Sequence, residues 1–265
     1  METNLEICKA IATQTGLGLQ FVIKEFHVFD VLSQIATINA GSKELVFKGG
    51  TALNKVYFTK NQRFSEDLDF DLNTSEITEV REWCKKTAEK ITGYEITEFR
   101  RVKSTVQFYC AFQNALGTKD HVRIDVSTKK IITDKPLAIK PAVSQYSGAS
   151  VTGFYVYSLE DLVARKLNAL HDRTEGKDIY DSYNALPLCG KMEGAIKKSL
   201  ESEGKKQTPA QFVEEMITAV KKADAKKVQR LTNNYIPAAY RPRDWQQLKN
   251  GLIFNLEQML ETFNA

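Results

Sequence analysis

Strict alternation of carboxylates with large apolar side chains in Asp67-Leu68-Asp69-Phe70-Asp71-Leu72 leaves this segment one regular conformation, a β-strand. Asp67, Asp69 and Asp71 share one parity and project from one face. Leu68, Phe70 and Leu72 take the other face and are available for a core. Side chains two apart on a strand lie within about 7 Å, so these charges repel at close range. Asp is also a poor strand residue. A divalent cation is the usual compensation, and oxygen-only ligands favour Mg²⁺ or Mn²⁺ over zinc. The plainer alternative is that Asp67 and Asp69 form the solvated face of an edge strand.

The residues just upstream weigh against that alternative. Leu45 to Lys48 reads as a short strand, Gly49-Gly50-Thr51 as a turn, and the following residues as a short helix. Glycines between a strand and a helix let backbone N–H groups approach a phosphate, and a helix N-terminus adds favourable potential. A phosphate cradle followed by a carboxylate pair suggests nucleotide chemistry.

Composition sets wider limits. The 265 residues suffice for one large domain or two modest ones. Hydrophobic (42%) and charged (26%) fractions are those of an ordinary globular protein. A net charge of +4 permits an RNA partner without arguing strongly for one. Cys8, Cys84, Cys110 and Cys189 are scattered, with no Cys-x-x-Cys pair, which speaks against a zinc ribbon or disulfide framework and fits a reducing cytoplasm. No apolar run approaches a membrane span and the N-terminus lacks a signal-peptide core, so a soluble cytoplasmic protein with no membrane partner is expected.

Taken in order, residues 2–15 and 20–39 read as helices, the second carrying Phe21, Val22, Phe26, Phe29, Leu32 and Ile35 at helical spacing. His27 within it reads as a packed or surface residue. A helix from the Thr74–Glu76 cap to about Ile91 is followed by strands at 94–101, 105–112 and 121–127. In the last of these Val122, Ile124 and Val126 face one way, while Arg123 and Asp125 face the other, where the plainer reading of Asp125 is an ordinary strand acid paired with Arg123 or a lysine. Residues 128–150 read as a loop crossing between lobes, with a boundary near 150.

Ser158-Leu159-Glu160-Asp161 has the form of an N-cap box, followed by Leu162, Val163, Leu167 and Leu170 at helical spacing. Lys166 falls inside that apolar stripe. Core faces rarely accept lysine, so either its ammonium snorkels to water or the helix faces a cleft and Lys166 meets an anion. Asp178 has the position of an N-cap for a helix over 179–186, and His171 reads as scaffolding. From Lys191 onward the pattern is helical, with a loop at 235–245 and a closing helix over 248–263. Lys221, Lys222, Lys226, Lys227 and Arg230 form a basic run that is either a solvated face or a set of phosphate contacts.

Two blocks carry a resemblance. Lys48-Gly49-Gly50-Thr51-Ala52-Leu53 with Arg63-Phe64-Ser65-Glu66-Asp67-Leu68-Asp69-Phe70 resembles the first motif of the AbiEii/MenT toxins, of the polymerase-β-like nucleotidyltransferase superfamily. Residues 162–186 are similar to that family's later motifs. The resemblance implies that Asp67, Asp69 and a third carboxylate, for which Asp125 is the candidate, hold the metal. It further implies that Lys166 is the family's essential lysine and Asp178 its essential acid. Lys48, Gly49, Gly50, Thr51, Arg63, Ser65, Lys166, Arg173, Lys177 and Asp178 would bind nucleotide. Lys177 stands where the family often has Arg, which keeps the charge and loses the bidentate fork. Fifteen residues separate Thr51 from Asp67, a longer gap than in the superfamily's shorter forms.

These readings combine into an α/β (α+β) protein. A nucleotidyltransferase-like mixed-sheet lobe with its leading helices spans 1–150, and a C-terminal helical bundle over 151–265 closes on the nucleotide. The expected activity is metal-dependent (Mg²⁺ or Mn²⁺) transfer of NMP from an NTP; the resemblance implies that the acceptor is RNA, the 3′ end of a tRNA, and that the protein is the toxin of a bacterial toxin–antitoxin pair. Its partners would be NTP, tRNA or another RNA, and a cognate antitoxin protein or kinase. Transfer to a protein hydroxyl and an inactive nucleotide- or partner-binding module are the alternatives.

Overall fold

The computed structural model describes residues 3–263, in two compact units. The first holds the chain to Ile131, then Ala138–Val156 and Pro237–Ala239; the second holds Ile132–Leu137, Tyr157–Ile236 and Tyr240 onward. The chain therefore passes between units at Val156/Tyr157, and it lends the segment Ile132–Leu137 to the second unit before that point.

In the first unit, helices α1 (Leu5–Thr15) and α2 (Leu19–Ile38) lead into a seven-stranded mixed sheet. Residue 2 of the expected first helix lies outside the described residues. Asn4 caps α1 by accepting from the backbone N–H groups of Glu6 and Ile7. The strands are β1 (Leu45–Lys48), β2 (Asp67–Asn73), β3 (Glu95–Val102), β4 (Thr105–Gln113), β5 (Lys119–Lys129), β6 (Ala138–Ile139) and β9 (Tyr155–Val156), in the order β3-β4-β5-β2-β1-β9-β6. Between the last two, β7 (Ala142–Val143) and β8 (Ser150–Val151) form a separate pair. The expected loop over 128–150 thus contains short strands; two-residue strands are too brief to show a period.

Alternation places the core on one side of the sheet. Leu68, Phe70, Val106, Phe108, Val122, Ile124 and Val126 are all buried, with α2 and α4 (Ile77–Ala88) against the sheet. The helix expected to reach Ile91 ends as α4 at Ala88. His27 on α2 is buried, stacked on Phe112 with ring centroids 3.6 Å apart, and burial lowers its pKa to about 4.

β1 runs straight into helix α3 (Gly49–Ala52), which continues as a π-helical turn over Leu53–Tyr57. Lys55 in that turn is fully buried and ion-paired to buried Glu25 of α2 at 2.5 Å. Ser144 donates to the same carboxylate oxygen at 2.7 Å, and the Tyr146 ring lies 4.4 Å from the ammonium. Burial pulls the Lys55 pKa down, against the pull of Glu25. Removing one partner from such a pair costs about 3–5 kcal/mol, so it fixes the turn to α2.

The second unit is helical: α5 (Leu159–Arg173), α6 (Gly176–Ala185), α7 (Glu193–Ser202), α8 (Pro209–Lys222), α9 (Ala225–Thr232) and α10 (Trp245–Phe263). Ser158 caps α5, accepting from the Asp161 N–H at 3.0 Å. Thr208 and Gln211 close a capping box on α8, whose Phe212, Val213, Met216 and Val220 are buried. The closing helix begins at Trp245 rather than Leu248. Short 3₁₀ turns, Asn233–Tyr235 and Ala238–Tyr240, lie in and beside the expected loop. No described helix is long and apolar enough to cross a membrane.

Candidate active site

β2 lies in the middle of the sheet, not at its edge. It runs parallel to β5, pairing Asp67 with Arg123, Asp69 with Asp125 and Asp71 with Ser127. Paired residues on neighbouring strands share a face, so residues distant in sequence meet in one row. β1 adds Lys48 opposite Asp69, and β4 adds Gln107 opposite Asp125.

Charges on this face are only partly balanced. Arg123 lies between two acids, donating through Nη2 to Asp67 and placing Nε 3.4 Å from Asp125. The alternative that Asp125 is a strand acid paired with Arg123 therefore holds as far as the contact goes, but only one oxygen is involved. Asp125 Oδ2 also accepts from Gln107 at 3.3 Å, whereas Oδ1 is buried with no hydrogen-bond partner. Burial pushes the Asp125 pKa up, and Asp67 adds to this against the opposing pull of Arg123. The Arg123 pKa is itself raised; burial works the other way and is outweighed by Asp67, then Asp125 and Asp69. Lys48 is committed further along the row, 2.6 Å from Asp71 Oδ1 and 3.2 Å from Ser127 Oγ.

The glycine-led helix abuts the same carboxylates. Gly49 has φ of 78°, and a Cβ there would overlap the Asp69 carboxylate. Only glycine meets both conditions. Buried Thr51 donates to Ser65 Oγ at 2.7 Å and contacts the Asp67 carbonyl at 2.5 Å, tying the loop before β2 to the helix. Asn54 extends the tie by accepting from the Arg63 N–H at 3.0 Å. Arg63 is itself buried, its Nη1 donating to the Phe64 carbonyl. Thr51, Arg63 and Ser65 thus act as braces within this unit, with Gly49 in direct contact with the acidic face.

Do these residues fit a divalent cation? An orphaned, buried carboxylate oxygen beside a second and third Asp on the same face is a hard, oxygen-only donor set of the kind Mg²⁺ and Mn²⁺ prefer. Among the described residues no group of three acidic, thiol or imidazole side chains lies close enough together to hold a metal ion. The cation standing among them is the Arg123 guanidinium.

In the second unit Lys166 does not snorkel. Its side chain is 8% exposed, with Nζ 2.9 Å from both Asp178 Oδ1 and Asp181 Oδ2, and both acids are fully buried. Arg173 completes the cluster, donating to Asp178 through Nε at 2.8 Å and Nη2 at 3.1 Å. Burial raises the Asp178 pKa, but Lys166 and Arg173 outweigh it and hold the group at about 2. Asp178 opens α6 in its first turn, and Asp181 follows one turn on, so both face Lys166 across to α5. Lys177 instead points to Tyr235, its ammonium 3.5 Å from the ring centroid. His171 bridges Asp172 and Glu215.

Sequence reasoning passed over two of these groups. Arg123 entered only as a partner for Asp125, although its parity with Asp125 already put it on the acidic face. Asp181 went unassigned, although its i, i+3 spacing from Asp178 aims both at one neighbour.

Carboxylates from adjoining parallel strands thus crowd on one face against a glycine-led helix, an arrangement that suits nucleotidyl transfer. The model of the family described as "Nucleotidyl transferase AbiEii toxin, Type IV TA system" matches residues 30–264, and the chain belongs to that family of toxin–antitoxin nucleotidyltransferases. In fold it is similar to MenT4, a nucleotidyltransferase toxin of Mycobacterium tuberculosis H37Rv, at 16% identity and a TM-score of 0.69, covering 98% of this chain and 90% of that one. It is also similar to JHP933 from Helicobacter pylori, at 16% identity and a TM-score of 0.56, covering 94% and 95%. At such identities the likeness speaks to fold alone. No curated protein matches the chain.

Proposed function

We propose that this toxin transfers NMP from an NTP to the 3′ end of tRNA in a metal-dependent reaction, blocking aminoacylation and so translation. The acceptor places its work in the cytoplasm, and four free cysteines accord with that compartment. Family membership brings an NTP substrate and an antitoxin partner; whether the antitoxin is a binding protein or a kinase is a further part of the reading.

One observation carries the proposal: Asp69 and Asp125 lie side by side on parallel central strands, and the inner oxygen of Asp125 has no partner. Asp67, Asp69 and Asp125 would hold Mg²⁺ or Mn²⁺, which supplies neutralising charge to the reacting α-phosphate and the departing pyrophosphate. Asp125 would also help to deprotonate the attacking ribose hydroxyl. Gly49 leaves room beside Asp69, so backbone N–H groups at Gly49 to Thr51 are available to phosphate oxygens. Lys166 and Arg173 would bind nucleotide phosphate. Asp178 has both oxygens engaged by these cations and serves to position them.

The test is incubation with each α-labelled NTP, Mg²⁺ and total tRNA. Label should enter RNA, survive protease, vanish on ribonuclease treatment and fail to appear when a chelator is present from the start; Asp69→Ala should give none. Label that survives ribonuclease and is lost to protease would move the acceptor to a protein hydroxyl. Toxicity unchanged in Asp69→Ala would reject the enzymatic reading in favour of a binding module.

A further inference from the structure

The basic run 221–230 is continuous in sequence and divided in space. Lys222 and Lys227 line a groove of about 830 Å³ in the second unit, bounded by the start of α6, the end of α8 and one side of α9. Lys221 pairs with Glu257 at 3.5 Å, and it and Lys226 line a different groove, with Arg243 and Lys249. The first groove has three features that belong together. Its cations include Lys222, Lys227 and Lys177; Tyr235 forms an aromatic wall; and Leu231 is 58% exposed at its rim.

Acids also line this groove, but each has an internal partner. Asp224 accepts the Lys226 and Lys227 backbone N–H groups as the cap of α9, at 2.9 and 3.1 Å. Glu215 accepts from Gln207 at 2.6 Å and lies 3.1 Å from His171, and Glu175 lies 3.8 Å from Arg173. Among the described residues Lys222 and Lys227 have no ion pair. The Lys177 ammonium lies over the Tyr235 ring, 3.5 Å from its centroid, so a base stacks on that ring by taking the place of the ammonium or from the opposite face. The wall of α9 is tight: a Cβ at Gly176 would overlap Val228 and Thr232, so α6 and α9 abut and the groove keeps a closed floor.

We propose that this groove binds a single-stranded RNA segment of the acceptor, with Lys222 and Lys227 on successive phosphates and a base against Tyr235. Concavity, unpaired lysines and one aromatic wall are what single-strand binding uses; a rigid duplex would present no unstacked base to the ring. The inference deepens the RNA-transfer reading and rests on it for the identity of the polyanion.

Binding of a labelled single-stranded oligoribonucleotide to the full chain, followed by fluorescence anisotropy across a salt series, tests it. Lys222→Ala/Lys227→Ala should weaken binding about tenfold and lower the log–log salt slope by about 1.4, the value of two phosphate contacts on a single strand. Lys221→Ala/Lys226→Ala, equal in charge removed, should stay within about twofold of the parent. Tyr235→Ala should weaken binding about tenfold and Tyr235→Phe should not, since stacking needs the ring and not the hydroxyl. Thermal melts matching the parent qualify each variant, and an Ala variant that melts early is replaced by Lys222→Gln/Lys227→Gln. Equal losses from the two lysine pairs would reduce the effect to bulk charge and overturn the proposal, as would no loss from the Lys222/Lys227 pair or equally tight binding of a duplex. These outcomes leave Asp69-dependent transfer untouched, so the groove and the activity fail separately.

Discussion

The acidic face of the sheet and the cluster around Lys166 both crowd carboxylates together, and they relieve the repulsion in opposite ways. In the cluster every charge is answered from within: Asp178 and Asp181 are fully buried against Lys166, and Arg173 adds a fork. On the sheet the answer is incomplete. Asp67 and Arg123 are about a third exposed, at 35% and 36%, and Asp125 keeps one buried oxygen without a partner. A closed charge set holds its own members in place and so adds to stability, whatever its Lys166 and Arg173 go on to bind. An open one, on the proposed reading, is completed by a divalent cation. Substitutions in the two regions should therefore separate activity from stability.

The widest separation is expected from Asp69→Asn. Losing several kcal/mol of charge stabilisation in the transition state should lower transfer by about a thousandfold or more, with the urea midpoint unchanged or raised as like-charge repulsion falls. A large drop in the midpoint would erase the contrast. Lys166→Met should do the reverse to stability, costing about 3–5 kcal/mol in urea unfolding because two buried acids lose their shared cation. Near-parent stability of that variant would show the cluster to be hydrated.

Acid should separate the regions next. Asp178 is held at about 2 in the folded chain against an ordinary 3.8, so its contribution is full above about pH 4 and lost as pH falls through about 2. The size is on the order of 2 kcal/mol, read as a fall in urea stability over that window. In Asp178→Asn this fall should be absent. The smallest effect is expected at Arg123. Arg123→Met should tighten Mn²⁺ binding by about fivefold in calorimetric titration, since a competing cation worth about 1 kcal/mol is removed. It should change unfolding stability by less than about 1 kcal/mol. Weaker Mn²⁺ binding would mean that Arg123 supports the carboxylates instead of competing for them.

Much of the sheet was readable because alternation is a local property. Leu68, Phe70, Ile124 and Val126 announced their face, and with it the face of Asp69 and Asp125. That β2 and β5 would be parallel neighbours was not readable, because Asp67 and Arg123 are 56 residues apart and no local signal fixes a parallel register. Lys166 stood out as a lysine in an apolar stripe, yet its double partnership with Asp178 and Asp181 depends on how α5 meets α6. The π-helical turn at Leu53–Tyr57, held by Lys55 and Glu25, left no sequence period to find. The short strands β6 to β9 were missed for the same reason.

The side-by-side placement of Asp69 and Asp125 has a consequence for when this chain becomes dangerous to its host. A nascent chain emerges N-terminus first, and β5, which carries one half of the acidic row, follows β2 by some fifty residues. Until that strand has been made and has slotted in beside its neighbour, one member of the row is missing, so a truncated or stalled product would be harmless however well its first helices had folded. On the proposed reading, closure of the sheet is thus a necessary condition for the hazard.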